Sequence, residues 1–521
     1  MNLLASTLFI ITVSLSGAAA HAQEDLPARV GRVAEITGTV RTINSDGAWA
    51  DVSRNQPLST GDRVTTDKTG HATLQFGSTV VRLGPDSDVA VTQLDDQKIR
   101  LHFDHGQLAL RVRSDDVLGE LFVETDEGAW VPHHQGQYRF DRAVHQVLAA
   151  QAWSGDMLLE APDSSLPVAA PQRAEVWRTG AQQTTHYRVV PAVKDAFGDA
   201  ALAADKADDK QSAANATAQV PPEMTGAADL VRFGAWSVGA DGAHLWMPAK
   251  LPAGWQPFQQ GAWWWTSPWG WTWVDDQPWG FAPFHYGRWL FVRGHWAWTP
   301  GQWGAARPIY APAVVGWFGG AALTVGAAPA VGWIALAPDE AVFPGYAVSA
   351  KYWNALNGAS VAPASRRAVA INGGARLVPA GPALYVNQAV AGASTVAAVA
   401  ALQPQVPVAT MPGPRGAELR KPVFVEQLAR SVALAPPAAP PGRAALSPTS
   451  AVVQVPLASA KPASATQAKP VARVGVSGPA NPVPPAPVAP LAATRPVPPG
   501  LAMAPIKPIT PPVPPTPIAS R

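Results

Sequence analysis

The chain has 521 residues, no cysteine, and 39 basic against 37 acidic residues, which gives a net charge of +2. This length allows two to four domains, and the missing cysteines exclude disulfides and thiolate metal sites. The charge balance gives no sign of a nucleic-acid partner. From residue 411 onward, however, 11 Lys and Arg stand against 2 Asp and Glu. Such a basic tail either binds an anionic surface or the acidic body, or its scattered charges simply keep it in solution.

An apolar run opens the chain. Residues 3–20 read LLASTLFIITVSLSGAAA, and Ala20-His21-Ala22 before Gln23 fits the small-x-small cleavage rule. Because no basic residue flanks this run, we expect a signal peptide over residues 1–22 rather than a membrane anchor. No later segment offers ~20 uninterrupted apolar residues, so we expect no transmembrane segment in the mature chain. The sequence therefore predicts a periplasmic or secreted protein.

Residues 29–160 read as short strands separated by Gly, Asp and Pro. Strands are predicted over 72–76, 80–83, 89–94 and 121–124. Apolar residues alternate from Ile99 to Phe103 and again from Leu108, with Asp104-His105-Gly106 between, which predicts a hairpin. Period 2 with frequent turns predicts an antiparallel sandwich or a short β-helix.

The segment NQPLSTGDRVTTDKTGHATLQFGSTVVRLGPDSDVAV resembles the FecR-like domain of bacterial envelope proteins. The positions that fit the family pattern are Leu58, Gly61, Asp62, Thr65, Thr66, Phe76, Gly77, Ser78, Leu83 and Pro85, followed by Phe103, Gly106 and Leu108. The resemblance covers about residues 30–125 and implies an antiparallel β domain in the cell envelope.

Two segments have the composition of unfolded chain. Residues 191–229 are rich in Ala, Asp and Lys and are predicted to be a linker with transient helix. Residues 411–521 hold 27 of the 54 prolines among Ala, Val and Ser, and are predicted to be a disordered tail. Residues 341–410 form a poorly defined extension between the tail and the region that precedes it.

Residues 230–340 contain a tryptophan repeat. Pro257-Phe258-Gln259-Gln260-Gly261-Ala262-Trp263 recurs 26 residues later as Pro283-Phe284-His285-Tyr286-Gly287-Arg288-Trp289. Each unit reads as a hairpin that returns a second tryptophan, and four such pairs are predicted. The pairs are Trp236 with Trp246, Trp263 with Trp273, Trp289 with Trp298, and Trp317 with Trp333.

Large aliphatic residues are scarce in this region, so most of the rings are predicted to form its core. Twelve tryptophans between 255 and 303 exceed what one face of two hairpins needs, and some are therefore expected to remain exposed. Trp269 lies between Pro268 and Gly270 in a turn and is expected to be exposed there. The candidate ligand-binding residues are Trp269, Trp279, Trp303, His285 and Tyr286.

The same region resembles a tryptophan-rich domain of unknown function that often follows FecR-like domains in exported proteobacterial proteins. The residues that carry the resemblance are Trp255, Pro257, Gly261, Trp263, Gly270-Trp271-Thr272-Trp273, Pro278-Trp279-Gly280, Pro283, His285-Tyr286-Gly287-Arg288-Trp289, Trp296, Trp298 and Pro300-Gly301. The family supplies no activity, but it supports the pairing of the two domains in one envelope protein.

No complete catalytic or metal motif appears in the sequence. Asp275-Asp276 is interpreted as a solvated turn rather than as the carboxylate pair of a glycosidase, because adjacent strand residues point to opposite faces. His102-Phe103-Asp104-His105 and Asp86-Ser87-Asp88 lack a full ligand set. We therefore expect no enzymatic activity, no cofactor and no metal.

The sequence thus predicts an all-β protein with a FecR-like domain, tandem tryptophan-rich hairpins and a long tail. Its predicted function is that of a non-catalytic binding or scaffolding module in the cell envelope, with a role in envelope sensing. The alternative is a glycan-binding module for peptidoglycan or exopolysaccharide that uses exposed tryptophans, and a glycoside hydrolase is the third choice. The expected partners are an envelope polysaccharide or an envelope protein.

Overall fold

A computed structural model describes residues 25–411 except 44–46, 48, 144–145, 216–219, 240, 372–375 and 381–384. The predicted signal peptide at 1–22 lies outside the described residues, as does the predicted tail beyond Met411. The described chain is mostly β structure in antiparallel sheets, which confirms the predicted fold class. It forms two domains, called here the first domain (residues 25–190) and the second domain (residues 230–411).

The described part of the first domain contains seventeen strands. In chain order they are Gly31–Thr37 (β1), Val40–Ile43 (β2), Trp49–Asp51 (β3), Pro57–Leu58 (β4), Arg63–Thr66 (β5), His71–Phe76 (β6), Thr79–Leu83 (β7), Asp88–Leu94 (β8), Ile99–Val112 (β9), Leu121–Thr125 (β10), Gly128–Pro132 (β11), Gly136–Arg142 (β12), Leu148–Ser154 (β13), Asp156–Glu160 (β14), Ser165–Ala169 (β15), Arg173–Thr179 (β16) and Thr184–Val190 (β17). The strands predicted at 72–76, 80–83, 89–94 and 121–124 are confirmed as β6, β7, β8 and β10.

These strands form two sheets that share β9. One sheet runs β4-β1-β6-β7-β9-β12-β13-β16-β17. The other runs β3-β2-β5-β8-β9-β10-β11-β14-β15, and only its β9–β10 pairing is parallel among the described strands. Apolar side chains from both sheets form one buried cluster, so the domain is a two-layer β structure with a shared core.

The hairpin predicted around Asp104-His105-Gly106 is wrong, because β9 continues through it. Residues Ile99–His105 pair with β8, and residues Gly106–Val112 pair with β7 and β12 in the other sheet. Gly106 has φ +101° and lies against the Ser87 backbone, where a Cβ would clash. The glycine therefore bends one long strand from sheet to sheet, and the buried positions change from odd to even numbers at the bend.

The first domain extends thirty residues beyond the predicted boundary at 160. Strand β16 pairs with β13, and β17 pairs with β16. Ala174 and Val176 of β16 are buried in the shared core. The sequence signal for this end of the domain is weak because β17 is a largely exposed edge strand without clear alternation.

The segment predicted as a linker contains helix α1, Ala196–Asn215. Asp205, Asp208 and Asp209 of this helix form ion pairs with the arginines of β7, β9 and the residue after β9, which are Arg82, Arg111 and Arg113. Its alanines favour the helix, and its acidic face binds a basic sheet face. The segment connects the two domains, but it is docked on the first of them.

The second domain begins with a short helix, Leu230–Phe233 (α2). The elements that follow are Gly234–Val238 (β18), His244–Pro248 (β19), Gly261–Thr266 (β20), Gly270–Asp275 (β21), Ala282–His285 (α3), Arg288–Val292 (β22), His295–Thr299 (β23), Val315–Val325 (β24), Ala328–Ala335 (β25), Ala350–Gly358 (α4), Ala368–Ile371 (β26), Arg376–Pro379 (β27) and Ser394–Ala398 (β28). All four predicted hairpins are present, as β18–β19, β20–β21, β22–β23 and β24–β25.

The four predicted tryptophan pairs are cross-strand partners in register: Trp236 with Trp246, Trp263 with Trp273, Trp289 with Trp298, and Trp317 with Trp333. The hairpins do not stack as a linear array. They lie in a four-stranded sheet β18-β19-β23-β22, a separate pair β20-β21, and a three-stranded sheet β24-β25-β28. One aromatic cluster joins the three sheets.

Residues 341–410, predicted as a poorly defined extension, belong to the second domain. Strand β28 pairs with β25, and the Gln405 amide donates to the Trp263 carbonyl at 2.8 Å. Helix α4 buries Tyr352, Trp353 and Leu356 against a third apolar cluster. The strands of this segment were not predicted because its low charge and high Ala content give no clear alternation. Strand β28 also pairs with a strand that lies far away in the sequence.

Candidate functional site

Tryptophan rings fill the interior of the second domain. The Trp263 ring lies 5.4 Å from Trp273, 4.6 Å from Trp317 and 5.5 Å from Trp333, between ring centroids. Trp263 and Trp289 are fully buried, which confirms the prediction that they are core residues. Most rings in the cluster meet edge to face or tilted, the arrangements that aromatic pairs favour.

The prediction that Trp269 is exposed in its turn is wrong. The side chain is 4% exposed, because the turn folds inward and places the indole edge-on against Tyr310 at 4.8 Å. Trp279 is 2% exposed among Trp246 and Trp255, and Trp303 is 9% exposed with its indole donating to the Pro300 carbonyl. None of these three candidate residues presents a ring face to solvent. Within 255–303, only Trp264 and Trp265 are more than marginally accessible, and both are half-buried.

The other two candidates, His285 and Tyr286, are also buried. The His285 Nδ1 lies 2.8 Å from the Ala311 carbonyl oxygen, and burial lowers the pKa of the imidazole to about 3. This histidine is therefore neutral at physiological pH. The Tyr286 side chain borders a cavity of about 230 Å³ between the domains, together with Arg29, Arg307 and Glu223.

These two residues belong to the motif His285-Tyr286-Gly287-Arg288-Trp289, of which every member is buried. The backbone carbonyl of Tyr286 accepts from the Trp298 indole at 2.9 Å, and the Trp289 indole donates to Pro283 at 2.8 Å. Gly287 has φ +59° and lies against Thr299 and Trp298, where a Cβ has no room. The motif thus joins the end of α3 to the hairpin β22–β23 and places Arg288 at the first position of β22.

Arg288 is a candidate functional residue that the sequence analysis missed. It is 2% exposed, and its guanidinium donates to the carbonyl oxygens of Glu340 at 2.8 Å and Gly287 at 2.7 Å, and to Asn357 Oδ1 at 3.0 Å. Among the described residues no carboxylate lies within ion-pair distance of it. Burial lowers its pKa to about 10, so the buried side chain still carries its charge at neutral pH.

A cavity of about 460 Å³ opens beside Arg288. It is lined by the β18–β19 turn with the start of β19, by Arg288 and Leu290 of β22, by residues 299–302 at the end of β23, by Pro338, and by the loop after α4. Its polar lining residues are Asp241, His244, Arg288, Thr299, Gln302 and Ser360. This volume lies in the ~300–1,000 Å³ range of small-molecule sites. Tryptophan does not line the cavity in the described part of the chain.

The interpretation of Asp275-Asp276 as a solvated turn is half wrong. Asp276 is exposed, but Asp275 is 2% exposed and accepts from the Trp273 indole at 3.0 Å and the Gln277 amide at 2.9 Å. Burial raises the pKa of the Asp275 carboxyl well above its usual range. The two carboxylates face different environments, as their strand positions predict, and Asp275 has no access to a substrate.

The fold brings two candidate metal motifs of the sequence together. Ligand atoms of Asp88, Asp104 and His105 lie within 4.8 Å of one another. The Arg63 guanidinium already occupies this cluster, with Nε 2.6 Å from Asp88 Oδ1 and Nη2 3.6 Å from Asp104 Oδ2. The arginine supplies the positive charge that these carboxylates need, so the arrangement is an ion-pair cluster.

Buried polar contacts hold the two domains together. Arg32 of β1 donates to Asp229, which directly precedes the second domain, at 2.5 Å, and it packs its guanidinium over the Phe281 ring of the second domain. The Asn55 amide donates to the carbonyl oxygens of Asp275 and Gln277 at 2.9 and 2.7 Å. We call these contacts the interdomain seam. Because each replaces water at a buried polar group, the seam fixes the register of one domain on the other.

In comparisons with known proteins, a family model matches part of the second domain. Residues 227–340 match the family model DUF6600, described as a family of unknown function, in agreement with the resemblance found for residues 230–340. No curated protein matches the chain. Two crystal structures of a protein described as an anti-sigma factor from Parabacteroides distasonis are similar at 14% and 12% identity. Each similarity covers 25% of this chain and 60% of the other, with a TM-score of 0.22.

The helices of the described chain are all too short or too polar to cross a membrane. The DUF6600 match includes Arg288 and the other cavity residues from Asp241 to Pro338, whereas the lining loop Gly358–Pro363 lies beyond it. Residues 227–340 are therefore similar to a family of unknown function, and the Arg288 cavity lies where this similar region meets the following part of the chain.

Proposed function

We propose that this chain is a non-catalytic, exported cell-envelope protein that acts as a binding or scaffolding module in envelope sensing. The first domain supplies a FecR-like frame, and the second domain supplies the ligand site. The interdomain seam supports this division of roles, because a ligand bound to the second domain acts on a body that is rigidly joined to the first.

The Arg288 cavity is the observation that carries the proposal. A binding site needs a concave surface with a few fixed polar groups. The second domain has such a surface at this cavity, and its interior is filled by the aromatic cluster. Catalysis has less support, because the carboxylate pair suggested for a hydrolase has one member sealed in the core. Asp241, an exposed turn residue, is the one acidic side chain on the cavity wall among the described residues.

A glycan ligand, peptidoglycan or exopolysaccharide, is favoured over an envelope protein. The cavity is a pocket rather than a broad apolar patch, and hydroxyl, amide and imidazole groups surround it. Glycan recognition in this protein would rest on these hydrogen-bonding groups. The candidate tryptophans that the sequence-based alternative expected to be exposed for stacking are instead buried in the core.

Export and glycan binding are tested together on the full-length protein expressed in a Gram-negative host. We expect the mature form in the periplasmic or secreted fraction, with an N-terminus near Gln23. The purified mature protein should be retained by isolated peptidoglycan or by exopolysaccharide from the source cells, and not by a cellulose control. Met1 retained on cytoplasmic protein would refute export, and retention by neither polymer would refute the glycan ligand.

A further inference from the structure

We propose that the Arg288 cavity binds the carboxylate of an acidic sugar residue in an envelope glycan. This inference rests on the proposed function and names the chemical class of its ligand. It follows from the state of Arg288, the charge of the cavity wall and the groups that surround both.

Arg288 is a buried cation with spare donors. Its three hydrogen bonds go to neutral oxygens, on Glu340, Gly287 and Asn357. A guanidinium has five N–H groups, so two remain without a recorded acceptor in the described part of the chain. Burying a charge without a close ionic partner costs several kcal/mol, and well-packed apolar residues often serve stability better. A cation kept at the wall of a cavity is therefore suited to a ligand that pairs with it.

The neighbouring acid does not take up these donors. Both oxygens of the Glu340 carboxylate accept from backbone amides, of Ala337 at 2.7 Å and of Val386 at 2.6 Å. Burial raises the pKa of this carboxyl above its ordinary value. The Glu340 carboxylate therefore attracts Arg288 only from beyond ion-pair distance, and its backbone carbonyl is the group that Arg288 contacts directly.

The charge on the wall matches a monoanion. Arg288 is the one Lys or Arg side chain on the cavity wall in the described chain, and Asp241 is exposed at the mouth. A carboxylate carries one negative charge and fits the planar fork of a guanidinium. A phosphate with two charges would leave one uncompensated beside Asp241.

The remaining lining fits a hydroxylated ligand. Thr299, Gln302, Ser360 and His244 offer donors and acceptors, and several prolines and aliphatic residues supply the apolar surface that a sugar ring face contacts. The pocket is large enough for one or two sugar rings by the size range of ligand sites. These features favour an acidic sugar over a bare anion.

The test measures binding of paired acidic and neutral sugars to the full mature protein by titration calorimetry. The pairs are N-acetylmuramic acid with N-acetylglucosamine, and glucuronic acid with glucose. We expect at least one acid to bind about tenfold or more tightly than its neutral partner. Inorganic phosphate and acetyl-alanyl-alanine are further arms that carry an anion without a sugar ring.

Two variants of cavity residues and one control variant locate the site. Gln302→Glu places a carboxylate on the cavity wall at an exposed position, and it should weaken binding of the acid about tenfold more than it weakens binding of the neutral sugar, because only the acid is repelled by the new charge. Gln405→Glu adds the same charge at an exposed position of the second domain that does not line the cavity, and it should change nothing. Arg288→Lys keeps the charge without the fork and should also weaken binding of the acid.

Four results would overturn the inference: equal affinity for acid and neutral sugar, no binding of either acid, phosphate or the dipeptide binding as tightly as the acid, or an unchanged Gln302→Glu variant. Retention on peptidoglycan or exopolysaccharide despite any of these would leave the proposed function in place with a different ligand group. Loss of retention on both polymers would instead refute the proposed function.

Discussion

Two buried tryptophans that differ in one hydrogen bond provide a direct test of how the aromatic core is stabilised. Trp263 and Trp289 are both fully buried and occupy equivalent places in neighbouring hairpins. The Trp289 indole donates to the Pro283 carbonyl at 2.8 Å, whereas the Trp263 indole N–H has no partner among the described residues. The perturbation is replacement of each by Phe, one at a time.

The magnitude follows from what each change leaves behind. Both substitutions remove the same ring atoms, so the packing loss largely cancels between them. Trp289→Phe strands the Pro283 carbonyl oxygen in the core, which costs ~1–3 kcal/mol, whereas Trp263→Phe removes an unpaired donor and avoids that cost. We therefore expect Trp289→Phe to reduce the free energy of unfolding by ~1–3 kcal/mol more than Trp263→Phe does.

The assay is guanidinium unfolding followed by far-UV circular dichroism, because 21 tryptophans make the fluorescence change hard to assign. The midpoints are compared at equal slope, which separates stability from a change in the unfolded surface. Phe291→Ala is the matched control, since this side chain on the same hairpin is 41% exposed and should cost under ~1 kcal/mol. Equal losses for the two Phe variants, or a larger loss for Trp263→Phe, would refute the role given to the indole hydrogen bond.

Three further predictions concern burial and charge. Trp269→Ala should lower the free energy of unfolding by ~3–5 kcal/mol, as for a core aromatic residue. A loss under ~1 kcal/mol would instead support the expectation that Trp269 is exposed in its turn. Arg32→Ala breaks the buried pair with Asp229, so it should lower the free energy of unfolding by ~3–5 kcal/mol and split one calorimetric transition into two. Arg41→Ala, which breaks an exposed pair, should do neither. Amide exchange in α1 should accelerate with added salt more than in the apolar-packed α4. The protection factors of α1, which correct for the slower intrinsic exchange at low pH, should also fall in acid, because the Arg139 hydrogen bonds hold the pKa of Asp195 below its usual value. That stabilisation is present above the unfolded pKa of Asp195 and is lost as the pH falls through the lowered one. Protection factors in α1 that are insensitive to both salt and acid would contradict this.

The parts of the fold that were predicted are those in which a local pattern and its partner lie close in sequence. The cross-strand tryptophan pairs follow from alternation across short turns, and the structure has them in register. The hairpin at Gly106 failed because a glycine that bends a strand and a glycine in a turn look alike in one sequence. Helix α1 was read as a linker because its partners are arginines about a hundred residues away.

The candidate site was predicted less well for a related reason. Aromatic residues in turns were expected to be exposed, but the scarcity of aliphatic side chains draws even Trp269 into the core. Arg288 was treated as part of a repeat motif, although a charged residue between Gly287 and Trp289 in a buried run is itself a signal. Its cavity is closed by the loop after α4, which no local pattern connects to it.

The closed arrangement of the four hairpins has an evolutionary consequence. In a solenoid each unit contacts only its neighbours, and units are gained or lost without harm to the rest. Here Trp263 of one hairpin contacts rings from another hairpin across a single shared interior. Duplication of a unit would leave its rings no place in that interior, and deletion would leave a void. The number of hairpins is therefore expected to stay constant among related sequences, and variation is expected in the loops around the hairpins.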